Sequence, residues 1–70
     1  MSAIVIRGLR RARGALVDAE LDVLRLAYDT RKNAADEAPA DVLFEVAARL
    51  HQIADEVDEA ATLIDWATAR

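Results

Sequence analysis

With heptad position a set at Leu43, the a and d positions of the second half are Leu43, Val46, Leu50, Ile53, Val57, Ala60, Ile64 and Ala67. All eight are apolar over nearly four heptads, a period that a helix with one buried seam satisfies and a strand does not. The e positions Ala47, Ala54 and Ala61 add a strip of small residues beside the seam, where a neighbouring helix can approach closely. Pro39 suits a first helical turn and Asp41 complements the positive helix end, which places this helix at about 39–68.

The first half is also helical in pattern, from about 14 to 35. One stripe runs Val17, Leu21, Leu24, Tyr28 and Ala35; a second runs Leu16, Val23, Ala27 and Ala34, with Ala19 and Leu26 beyond it. Together they cover about 220° of the helical wheel, whereas a helix with one neighbour needs little more than about 100°. Helix 1 therefore calls for two neighbours. The chain offers one, and a second copy is the simplest supplier of the other. Leu16, Val23, Leu26 and Ala27 are the expected self-association residues.

Between the helices, Asp36-Glu37-Ala38 precedes Pro39. A residue before proline is pushed out of helical geometry, so the break belongs there, and so short a connection makes the helices antiparallel neighbours. The expected fold is all-α: a single domain over residues 1–70, one antiparallel helical hairpin, two copies of which form a four-helix bundle. Small size supports association, since 70 residues in one thin seam leave little net stability.

Residues 1–13 admit two readings. Val5, Leu9, Ala12 and Leu16 continue a helical stripe, which would match helix 1 in length to helix 2 and bury Val5 and Leu9. Gly8 and Gly14 each oppose helix by roughly 1 kcal/mol. Alternatively, residues 3–7 form a short strand ended by Gly8. The opening Ile4-Val5-Ile6-Arg7-Gly8-Leu9 resembles the start of the ribbon-helix-helix antitoxins. That resemblance implies a strand paired across a dimer and entering the DNA major groove. Size and hairpin plan are similar to small plasmid RNA-binding proteins that dimerise into four-helix bundles, an analogy of architecture that carries no function across.

Charge is unevenly spread. Residues 1–13 hold Arg7, Arg10, Arg11 and Arg13 and no acid, while the rest hold five basic and 13 acidic residues, for a net charge of −4. Such a cluster is a candidate nucleic-acid footprint, but in a hairpin it also lies beside Glu56, Asp58, Glu59 and Asp65, ready partners for pairing. The segment lacks interleaved aromatics, so base stacking is not indicated.

Catalysis is not expected. With no cysteine there is no thiolate metal site, disulfide or thiol nucleophile. His51, the single histidine, sits at position b four residues before Asp55 and reads as a surface residue; the two supply two of the three or four ligands a metal needs. The acids Asp55-Glu56 and Asp58-Glu59 read as a solvated face. No cofactor is implied. Phe44 and Trp66 lie off the seam, about 33 Å apart along a helix, and are candidates for contact with a partner or for packing over the hairpin ends. Tyr28 reads as core.

No apolar run approaches the roughly 18 residues of a membrane span, and residues 1–6 lack the charge-then-apolar order of a secretory signal, so a cytoplasmic location is the default expectation. Sixteen alanines and eight arginines against one lysine suit a high-GC genome such as an actinobacterium or its phage. The function expected is a small, acidic, non-enzymatic helical interaction module, an adaptor, inhibitor or assembly subunit. The alternative is a nucleic-acid-binding regulator using the arginines of a dimer.

Overall fold

The computed structural model describes residues 2–33 and 38–69. It consists of α1, Ser2–Asn33, and α2, Ala38–Thr68, packed against each other as an all-α hairpin. Ala34, Ala35 and the expected break at Asp36 and Glu37 lie outside the described residues; helix has resumed at Ala38, one residue before Pro39. Arg31 and Lys32 stand in the last turn of α1 and Asp41 in the first turn of α2, each complementing the local helix dipole.

Residues 3–7 are helical, and no strand occurs among the described residues, which corrects the strand reading and the ribbon-helix-helix expectation built on it. Helix prevails because extension lets Ile6 and Leu9 pack, half-buried, beside the end of α2; Val5 stays exposed. Gly8 and Gly14 are carried as ordinary helical residues without positive φ.

The register is regular. Arg13 meets Asp58 and Glu20 meets His51, so seven residues up α1 correspond to seven down α2. The same step sets Ile6 level with Asp65 and Ala27 level with Phe44, consistent with Ile6 and Asp65 lining one groove and Tyr28 packing on Phe44. The hairpin is a rod, with principal extents of 56 × 13 × 10 Å over the Cα atoms.

The line of closest approach departs from the a/d seam. Buried residues among those described are Ala40, Ala47, Ala54 and Ala61 of α2, spaced by seven at position e, and Ala27 of α1. The a residues Leu43, Leu50, Val57 and Ile64 are half-buried, whereas Val46 and Ala67, at d, are exposed. Helix α2 is thus turned so that its smallest side chains face α1. Two backbones come closest where side chains are smallest, and the larger aliphatics then flank the contact.

The same rotation redraws the stripes of α1. Of the stripe expected inside, Val17 and Leu24 are half-buried but Leu21 and Tyr28 are exposed; Leu16 and Val23, expected outside, are half-buried too, and Ala27 is fully buried within the hairpin. Ala27 is therefore closed to any second chain. Leu26 stays on the surface, 54% exposed.

Candidate interaction faces

The two flanks of the alanine line differ in chemistry. One carries ion pairs between the helices, together with Val17, Leu21 and Leu24 of α1. Arg13 Nε lies 3.7 Å from Asp58 Oδ1, and His51 Nδ1 lies 3.1 Å from Glu20 Oε1, each pair bridging the helices. His51 Nε2 is 3.6 Å from Asp55 Oδ2 one turn on, so the exposed imidazole sits between two carboxylates. Protonated, it complements both charges; among the described residues it belongs to no cluster able to hold a metal. The Asp55 neighbour follows from i, i+4 spacing. Glu20 is invisible from sequence, because only the inter-helix register brings it in.

Towards the connection the same flank carries an aromatic cluster. Tyr28 and Phe44 meet edge to face, with centroids 5.1 Å apart and planes at 82°. The Arg31 guanidinium stands 4.9 Å from the Phe44 centroid and 5.4 Å from that of Tyr28. Phe44 is thus half-buried in local packing at the hairpin end, while Tyr28 is an edge residue and not core. Trp66 is 61% exposed near the opposite end.

At that opposite end Arg7 and Arg10 line an open groove with Ala3, Ile6 and Asp65. Of the four N-terminal arginines, Arg13 alone makes an ion pair among the described residues, and Arg7, Arg10 and Arg11 are exposed. Glu56 and Glu59 do not pair with them.

The other flank holds no charge along its length. Both helices are right-handed and run in opposite directions, so the positions lying away from the ionic pairs fall on one side of the rod. From α1 these are Leu9, Leu16 and Val23 beside the alanine line, with Val5, Ala12, Ala19 and Leu26 farther out. From α2 they are the a residues, with Val46, Ile53, Ala60 and Ala67 farther out. Its polar members, Thr30 and Asn33, lie near the connection, and Asn33 Nδ2 donates 2.9 Å to Asp29 O of its own helix. The expected self-association residues Leu16, Val23 and Leu26 all belong to this face.

No protein-family model, curated protein or solved structure matches this chain. Among the described residues no helix is long and apolar enough to cross a membrane.

Proposed function

We propose that this chain is a non-enzymatic helical protein–protein interaction module that works as a homodimer, two hairpins forming a four-helix bundle. The charge-free face carries the reading. A contiguous apolar surface of this length is seldom left in water by a soluble monomer.

Areas agree with it. A folded monomer of this mass exposes roughly 4300 Å², and the hairpin exposes 5356 Å². The surplus, roughly 1000 Å², is comparable to the about 800 Å² that each partner contributes to a standard interface. Shape agrees as well: the Cα radius of gyration is 16.1 Å, against about 11 Å for a compact 70-residue domain. Because no side chain larger than alanine is buried among the described residues, the leucines and isoleucines find a core only between hairpins.

The ionic flank then becomes the outer surface, where charge selects a protein partner. With a net charge of −4, steering favours a basic surface. Thermal unfolding over a hundredfold range of concentration tests the dimer. The midpoint rises with concentration if folding and association are coupled and stays fixed for a monomer.

One observation favours a second reading. Arg7, Arg10 and Arg11 have no acidic partner among the described residues, and a dimer doubles the cluster. Nucleic-acid binding through them predicts affinity that falls steeply with salt and is lost in the triple alanine variant.

A further inference from the structure

We infer that the second copy docks with its connection at the opposite end of the bundle, about a two-fold axis at the level of Ala19 and Ile53. This rests on the dimer reading above and adds its topology, which the layer sizes and the rim of the charge-free face decide.

Between residues 12 and 26 of α1 and 46 and 60 of α2, the outer row of that face is graded in size. Near the connection the layer is Leu26 with Val46; near the other end it is Ala12 with Ala60; Ala19 and Ile53 lie midway. Turning the second hairpin end for end places α1 over α1 and α2 over α2. Leu26 then rests on the partner copy's Ala12 layer and Val46 on its Ala60 layer, so in these two layers large fills small, while Ala19 and Ile53 each meet their own copy at the axis. With both connections at one end, α1 lies over α2. Leu26 then meets Val46 of the second copy while Ala12 meets Ala60, crowding one layer and emptying the other. Interdigitation of large with small is the arrangement that packs without voids.

The rim gives an independent reason. Along the outer edge of α2, position g reads Val42, Arg49, Glu56, Leu63, a series complementary to its own reverse. The end-for-end axis sets Val42 against the second copy's Leu63, and Arg49 against its Glu56. Val42 and Leu63 are otherwise strongly exposed aliphatics, each 58% accessible. Arg49 and Glu56 are seven residues apart on one helix, about 10.5 Å, too far to pair within a chain. The other topology sets Val42 level with Asp29 and Leu63 level with Gly8, leaving both without apolar partners.

Engineered thiols test this cleanly, because the chain has no cysteine. Positions 12 and 26 are about 21 Å apart along α1, well beyond disulfide reach within a chain. Purified Ala12→Cys, Leu26→Cys and Val46→Cys would be mixed in pairs and oxidised, after circular dichroism and light scattering confirm helical dimers. The end-for-end bundle predicts a disulfide between the Ala12→Cys and Leu26→Cys chains and little between Leu26→Cys and Val46→Cys. The reverse pattern overturns the topology and keeps the dimer. A confirmed dimer that cross-links in neither mixture overturns the face itself, and a monomer of the wild-type chain at every concentration removes the dimer reading. Charge exchange supplies a second variant: Arg49→Glu and Glu56→Arg should each raise the dimer dissociation constant severalfold, and the double exchange should restore it. Failure of that rescue counts against the axis.

Discussion

Glu20 Oε1 of α1 lies 3.1 Å from His51 Nδ1 of α2, and this contact marks the register of the hairpin at mid-length. The Glu20 side chain is only 19% exposed while that of His51 is 64% exposed. The carboxylate is therefore shielded from water by the helices, and the imidazole closes its open side. Removing His51 leaves a poorly solvated acid with one partner fewer.

A double-mutant cycle of His51→Ala and Glu20→Gln should give a favourable coupling below about 1 kcal/mol, because one partner is open to solvent. Urea unfolding of the four proteins measures it. A coupling of zero would mean that the pair does not form in solution.

Two long helices were legible because heptad spacing is a short-range rule; the break expected before Pro39 falls on residues outside those described, and Ala38, expected to be out of helix, is helical. The orientation of each helix about its own axis was not legible. Counting apolar residues selects a and d, whereas packing selects the line along which backbones approach most closely, here the alanines at e. The strip Ala47, Ala54, Ala61 was visible in the sequence, but its rank over the larger seam residues depends on the facing helix. Glu20 beside His51 depends on register, which the connection and packing set together, whereas Asp58 was among the acids expected beside the arginines and does pair with Arg13. The arginine cluster was visible; that Arg13 alone among its members would pair with an acid was not.

The alanine line makes a sharp prediction of its own. Ala54→Leu inserts bulk at the closest approach of the helices and should destabilise by about 1–3 kcal/mol, despite leucine's good helix propensity. Ala48→Leu, on the exposed surface of α2, should change stability by less than about 0.5 kcal/mol. Equal effects from chemical unfolding would show that the helices do not meet along position e.

Gly8 and Gly14 should be replaceable with profit. An added Cβ meets nothing within 4 Å at either position, and both are helical. Each Gly→Ala change should stabilise by up to about 1 kcal/mol, and the two should add. A loss of stability at Gly8 in thermal melts would indicate that residues 2–10 are not helical in solution.

Tyr28 and Phe44 tie α1 to α2 at the connected end. Their edge-to-face contact should yield a coupling of about 0.5–1.5 kcal/mol in a cycle of alanine variants. Arg31→Met should weaken this corner further, since it removes the cation over both rings. A corner that contributes nothing would leave Tyr28 and Phe44 additive.

Everything proposed for the charge-free face depends on its closure by a second copy. Solution mass by light scattering across a wide concentration range, for the wild-type chain and for Leu26→Glu, tests it most directly. Leu26 is the right probe because it is exposed in the hairpin, so a charge there leaves the intrachain contacts intact and strikes only what covers the face. A dimer closed over this face gives about twice the 7.7 kDa chain mass for the wild type, and a monomer or an unfolded chain for the variant. A stably folded 7.7 kDa monomer, indifferent to the substitution, would contradict it.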